Sequence, residues 1–216
     1  MLIRVIRVIR VLFFMRVLIQ EVQEEYNYKN AFKVLRARLR HEQFDGTMSA
    51  EMERLVFERG NSVGVLLYDT EQDSVLLIKQ FRYPAYIHDG PGWLIEIVAG
   101  MQDKGRDAIT VAHSELFEEI GYTIDRLEFL CKFYLSPGGS SEQLSLYLGY
   151  IHQAARVSAG GGLASEHEDI QLLNIPLTKA LAMIERGEIC DAKTIIALQQ
   201  LYLRKVVISK EAVLKV

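Results

Sequence analysis

Three glutamates, Glu115, Glu118 and Glu119, stand at i, i+3 and i+4 within GMQDKGRDAITVAHSELFEEIGY, residues 100–122. At helical spacing they share one face within about one turn, where like charges repel. They also come just before Gly121, in the last helical turn, where the macrodipole disfavours an anion by ~0.3–1 kcal/mol at exposed sites. Folding alone would more easily place a lysine there. The arrangement makes sense if divalent cations neutralise it, and hard carboxylate oxygens without clustered His or Cys select Mg²⁺ or Mn²⁺ over Zn²⁺. On spacing alone, a solvated acidic helix face accounts for it equally well.

A strand, a glycine loop and a helix must deliver these side chains. Trp93–Ala99 is an apolar strand ended by Gly100, and Asp107–Glu119 carries Ile109, Ala112 and Leu116 at helical spacing before Gly121 closes it as a C-cap. Around this unit, Ser62–Tyr68 and Val75–Phe81 are core strands joined by a polar turn. Leu127–Leu135 and Leu144–His152 are further strands, separated by Ser136-Pro137-Gly138-Gly139. Two closing helices follow, about Leu177–Arg186 and one opened by Asp191 as N-cap. The order predicts an α/β class domain, a mixed sheet sandwiched by helices, over 60–205 with a tail at 206–216. Upstream, Phe32–Phe44 and Met52–Glu58 flank an Asp45-Gly46 turn signal and predict an N-terminal antiparallel hairpin within 25–59. Two strands alone are marginal, so the hairpin needs a partner surface from this chain or a second subunit.

The chain has 216 residues, 50% hydrophobic and 25% charged, close to average globular usage, which excludes collagen, low-complexity disorder and a disulfide scaffold. With 25 basic and 28 acidic residues the net charge is −3, so no cationic field draws it to nucleic acid. Cys131 and Cys190 match no metal-ligand spacing and suit a reducing compartment, the cytoplasm. Residues 1–24 read as a poorly ordered leader or an over-extended start. Arg4, Arg7, Arg10 and Arg16 interrupt its apolar run and break the patterns of both a spanning helix and a secretory signal. No stable membrane anchor is expected; weak association with an anionic membrane surface is the sharper alternative.

Glycine, loop, helix and EExG at these distances resemble the Nudix box, with Gly100, Glu115, Leu116, Glu118, Glu119, Gly121 and Tyr122 matching. Arg106 and Ser114 depart from it, standing where the box has a glutamate and an arginine. The resemblance runs from about Phe32 to Leu203 through FERG, QFR, GWLIEIVAGM, SPGGSSE, GLASEHEDI and IERGEICDAKTIIALQQL, and Pro137 beyond the box is a subgroup marker. These pieces look like the ADP-ribose pyrophosphatases among the Nudix hydrolases, with GDP-mannose hydrolases as close relatives.

The resemblance implies a Nudix-type α/β/α sandwich, a homodimer with swapped hairpins, and Mg²⁺ or Mn²⁺ held by Glu115, Glu119, the Ala99 carbonyl and Glu168, with Glu118 in support. It makes Glu166 the general base, on a loop whose glycines would let it close over substrate. Arg54, Arg59 and Arg82 would fork onto a diphosphate. Phe32 falls near an adenine-stacking position, though a core phenylalanine reads nearly as well, and Met101, Ser136 and Glu142 would line the terminal-sugar pocket. Because the missing arginine orients the box carboxylates in the family, Ser114→Arg should raise metal affinity or rate. The implied reaction is metal-dependent hydrolysis of ADP-ribose or a related nucleoside diphosphate sugar to a nucleoside monophosphate and a sugar phosphate. GDP-mannose is the second substrate choice. The competing class is a Nudix-like module that binds a nucleotide sugar without turnover, which Arg106 and Ser114 favour slightly and the retained glutamates disfavour.

Overall fold

The computed structural model describes residues 15–88, 90–102, 105–151, 154–162 and 168–213, the stretch 208–213 by its backbone alone. The chain divides into two compact units, one ending at Glu58 and the other beginning at Arg59.

The N-terminal unit is a three-stranded antiparallel sheet in the order β1-β2-β3, with β1 Val17–Tyr28, β2 Phe32–His41 and β3 Met52–Glu58. The expected hairpin is β2–β3, and β1 adds a strand to it. Residues 17–24, assigned by sequence to a poorly ordered leader, are therefore the first part of β1. Its acids face the arginines of β2, with Glu21 3.2 Å from Arg38 and Glu25 2.5 Å from Arg36. Register shifts between Ile19 and Glu21 and between Glu24 and Tyr26 break the two-residue alternation that would have marked β1. Residues 1–14 of the leader lie outside the described residues. Among the described residues no helix is long and apolar enough to cross a membrane.

The second unit is built on a mixed sheet in the order β12-β5-β4-β10-β9. Its strands are β4 Ser62–Asp69, β5 Ser74–Phe81, β9 Glu128–Tyr134, β10 Gln143–Tyr150 and β12 Gln171–Pro176. Two short strands attach to it, β6 Trp93–Glu96 on β5 and β7 Val98–Met101 on β4. Among the described residues only β10 and β4 run parallel, and β8 Tyr122–Ile124 pairs with β11 Ala154–Arg156 in a separate ladder. Alternation along β4 divides the interior. Val63, Val65 and Leu67 face a cluster containing Val111, Ala112, Leu116 and Ile120 of α2, Ala108–Ile120. Leu66 and Tyr68 face a second cluster with residues of α3, Leu177–Glu185, and α4, Ala192–Val213. This is the expected sandwich, helices covering both sheet faces, and α1 Tyr83–His88 follows β5 as an unforeseen short helix.

Trp93–Ala99, expected as one strand, is two. The chain leaves β5 after Glu96 and joins β4 at Val98, so Ile97 sits between two ladders. A buried amide that loses its ladder partner needs another, and Ile97 N–H donates to Thr194 Oγ1 at 2.8 Å. Thr194 Oγ1 in turn donates to Asp191 Oδ2 at 2.6 Å, and the Thr194 amide donates to the same oxygen at 3.0 Å, which makes Asp191 the cap of α4. The same physics closes α2 at both ends. Asp107 accepts from Thr110 N–H, and Gly121 takes the left-handed conformation at φ 71°.

Thr194→Val keeps the shape but orphans the Ile97 amide. It should lower stability by ~1–3 kcal/mol, with Tm falling about 2–4 °C for each kcal/mol at this chain length. Thermal unfolding followed by circular dichroism checks this, and an unchanged Tm would mean that the amide finds another acceptor.

Candidate active site

β7 and α2 meet at one glycine. A Cβ built on Gly100 would stand 1.8 Å from Glu115 Oε1, so only glycine lets that carboxylate lie against the strand. One turn on, Glu119 is 3% exposed and takes a backbone hydrogen bond from Ala99. Beyond α2 the chain returns over its end, where Gly161 N–H donates to the Glu119 carbonyl at 2.8 Å. A Cβ on Gly162 would lie 2.5 Å from Glu168 Cβ. These glycines, expected as the hinge of a closing loop, permit the close packing that sets Glu168 beside α2.

Three carboxylates are thus brought within electrostatic reach of one another. Burial pushes the Glu119 carboxyl up to about 9, Glu115 and Glu168 push the same way, and Arg82 and the Ala99 backbone oppose them. Glu119 Oε2 is buried with no hydrogen-bond partner, an arrangement with a cost unless something meets it. Glu168 Oε1 accepts from Gln80 Nε2 at 3.3 Å. An orphaned buried oxygen, a glycine cradle and a set of oxygen donors fit a divalent cation held by Glu115, Glu119, Glu168 and the Ala99 carbonyl. Among the described residues no group of three His, Cys, Asp or Glu stands ready-made around a point an ion could occupy. Glu118 is half-buried on the same helix. Glu166 falls in 163–167, outside the described residues.

Arg82 borders this cluster. Its Nη2 lies 2.7 Å from Glu96 Oε2, and its Nε contacts both Glu96 oxygens at 3.2–3.3 Å. Glu96 is 2% exposed. Burial alone would raise its carboxyl, but Lys193 and Arg82 outweigh that and hold it below the ordinary value. Burial likewise disfavours the Arg82 charge, yet Glu96, Glu119 and Asp191 keep its guanidinium raised. Lys193 Nζ stands 3.2 Å from Glu96 Oε2 and 2.9 Å from Asp191 Oδ1.

A second cluster gathers Arg59, Met101 and Glu142. Arg59 Nη2 lies 2.9 Å from Met101 Sδ, and its Nε lies 3.7 Å from the buried Glu142 carboxylate. Ser136 opens the turn leading to Glu142, its carbonyl accepting from Ser140 N–H at 2.8 Å. Phe32 and Arg54 belong to the N-terminal unit. Phe32 is exposed and stacked on Phe57 at 5.8 Å, not in a core, and Arg54 Nη1 donates to the Glu53 carbonyl.

The two departures from the box touch each other, Arg106 Nη1 donating to Ser114 Oγ at 3.2 Å. A guanidinium therefore already stands at Ser114, and a second arginine there alone would meet like charge. This revises the expectation for Ser114→Arg.

Gln80, Glu96, Lys193 and Thr194 were not among the expected site residues. One signal was available for Glu96: an acid inside the apolar run WLIEIVAG must be paired if that run is buried. Nothing local names its partners at 82 and 193.

Two outcomes follow from this geometry. In chelator, Glu119→Gln should melt at or above the parent, because it removes a disfavoured carboxyl. At about 100 times the dissociation constant of Mg²⁺ the parent gains ~2.7 kcal/mol and the variant does not; an equal gain in both would remove Glu119 from the ligands. Ser114→Arg alone should leave Mg²⁺ affinity unimproved by calorimetry, whereas Ser114→Arg with Arg106→Glu improves it.

The NUDIX domain model matches residues 58–212. An ADP-ribose pyrophosphatase of Escherichia coli strain K12 is 37% identical over 193 residues, 89% of this chain and 92% of that protein. A GDP-mannose pyrophosphatase of Cronobacter sakazakii is 40% identical over 153 residues, 70% of this chain and 78% of that one. A solved ADP compounds hydrolase superposes with a TM-score of 0.66 at 20% identity, covering 90% of this chain and 96% of its own, a likeness of fold. A family model matched over most of the chain, with relatives of this identity and extent, makes the protein a member of the NUDIX domain family.

Proposed function

We propose that the protein hydrolyses the diphosphate of ADP-ribose or a related nucleoside diphosphate sugar, with Mg²⁺ or Mn²⁺, to a nucleoside monophosphate and a sugar phosphate. The observation that carries this reading is the buried Glu119 carboxyl, one oxygen without a partner, held beside Glu115, Glu168 and Arg82. Glu115, Glu119, Glu168 and the Ala99 carbonyl would hold the ion, with Glu118 in support. Bound there, it offsets the repulsion between water and an anionic phosphorus and acidifies that water.

The chain's own residues do the rest. Arg82 Nη1 makes no hydrogen bond among the described residues, which leaves it for a phosphate oxygen while Glu96 fixes the other edge of its guanidinium. Arg59 and Arg54 would share that task. Met101, Ser136 and Glu142 would line the sugar pocket, and Phe32 of a second subunit would stack the base. Glu166 would take the proton from the attacking water. Two copies would form the working unit, in the cytoplasm, where Cys131 and Cys190 stay free as they are here.

ADP-ribose is preferred because the relative of that name matches along 89% of this chain. GDP-mannose is the second reading, favoured by the 40% identity of a relative with a shorter match. Relative kcat/KM on the two substrates decides between them.

Incubation of the purified protein with ADP-ribose and MgCl₂ should yield AMP and ribose 5-phosphate by nucleotide chromatography. Glu166→Gln should lower turnover ~10²-fold or more while leaving metal binding nearly intact. No product from either nucleotide sugar with either metal refutes the enzyme reading and leaves a binding module. Loss of metal binding equal to the loss of turnover would make Glu166 a ligand instead of the base.

A further inference from the structure

Lys193 stands where a helix has no use for it. It lies two residues after the cap of α4, in the first turn, where the macrodipole disfavours a cation. It is also 9% exposed, and burying an ammonium is expensive unless it is paired. Both costs are met by two carboxylates. Nζ lies 2.9 Å from Asp191 Oδ1 and 3.2 Å from Glu96 Oε2. The other Asp191 oxygen is already satisfied by the Thr194 amide and hydroxyl.

The result is a row of alternating charge: the positive end of α4, Asp191, Lys193, Glu96 and Arg82. Each member compensates the next. Glu96 carries one negative charge between two cations, so Arg82 is oriented by Glu96 without being fully neutralised by it. With Lys193 removed, Glu96 would pair with Arg82 alone. Its carboxylate would lose the anchor that fixes its rotation, and the net positive charge beside Glu119 would fall.

We propose that Lys193 is a positioning residue: by holding and half-neutralising Glu96 from the α4 side, it keeps the Arg82 guanidinium aimed, and its charge incompletely cancelled, for an anionic substrate. This rests on the reading above that Arg82 meets the diphosphate. Lys193 touches neither the carboxylate cluster nor the Arg59–Glu142 cluster among the described contacts, so its effect is on capture of the substrate and not on the proton transfer.

The test is steady-state hydrolysis of ADP-ribose with MgCl₂ by wild type, Lys193→Met, Lys193→Arg, Arg82→Ala and the double variant Arg82→Ala/Lys193→Met, each with its Tm. Lys193→Met should raise KM by roughly 3- to 30-fold with kcat within about twofold. Lys193→Arg keeps the charge and should restore most of the KM. In the Arg82→Ala background the methionine should add no further change, since its effect travels through Arg82. An unmoved KM in a folded Lys193→Met overturns the proposal, as does a fall in kcat alone or an equal KM increase with Arg82 absent. If Lys193→Met does not fold, Lys193→Arg decides: wild-type KM supports the charge row, and a raised KM in the folded arginine variant refutes it. A wild type inert on both nucleotide sugars would instead sink the functional reading, and the inference with it.

Discussion

A carboxyl buried at the end of a helix, against two other carboxylates, is the constraint on which this molecule turns. Desolvation, Glu115 and Glu168 all disfavour the ionised form of Glu119, and among the described residues Arg82 and the Ala99 backbone act for it. The helix adds its own opposition, because the last turn of α2 presents carbonyls. A fold selected for stability alone would not bring these groups within electrostatic reach of one another. The arrangement becomes coherent once a small hard cation has a place there, and the elements around it then read as means of delivery. Gly100 lets Glu115 lie on β7, the glycines after β11 let Glu168 approach α2, and the break after Glu96 turns the strand toward α2.

That break also separates two opposite electrostatic tasks within a few residues. Glu96 ends β6 and faces cations, while Ala99 on β7 faces the acidic cluster. A continuous strand paired with one neighbour would have kept both positions in a single ladder. Moving from β5 to β4 at Ile97 frees one amide, and Thr194 takes it up. The hydroxyl that repairs the ladder therefore belongs to the same helical turn that supplies Asp191 and Lys193, so backbone repair and charge compensation share one structural element.

What could be read from the sequence was whatever is encoded locally. The helix at Asp107–Glu119 was legible because its apolar spacing, its capping aspartate and its left-handed glycine all lie within one short segment. The core strands were legible because β4 and β5 are short β-rich apolar runs on either side of a polar turn, as strands buried on both faces must be. β1 was not, since every one of its residues is exposed and two register shifts destroy its period. The carboxylates of the box were visible by spacing, whereas Glu96 was hidden in an apolar run and its partners lie 14 and 97 residues away along the chain. Charge rows of this kind are written in the tertiary structure alone. Arg106 and Ser114 show the same limit, for two departures that look like separate losses are one contact.

The N-terminal unit poses the remaining physical question, because its strands are tied by charge more than by a core. Arg36 reaches Glu25 on β1 and Glu53 on β3, and Arg38 reaches Glu21 and Glu51. Exposed pairs of this kind contribute ~0.2–1 kcal/mol each, too little to order a three-stranded sheet in which β2 is half-buried and no apolar side chain among the described residues is fully buried. Val17, Leu18, Ile19 and Val22 of β1 and Leu55 of β3 are all exposed within the unit. The ion pairs favour the register, since a slip would draw Glu21 and Glu25 away from Arg38 and Arg36 and could set Arg54 of β3 opposite an arginine of β2. Stability must come from covering the apolar side chains, a requirement that another surface of this chain or the second copy proposed above would meet.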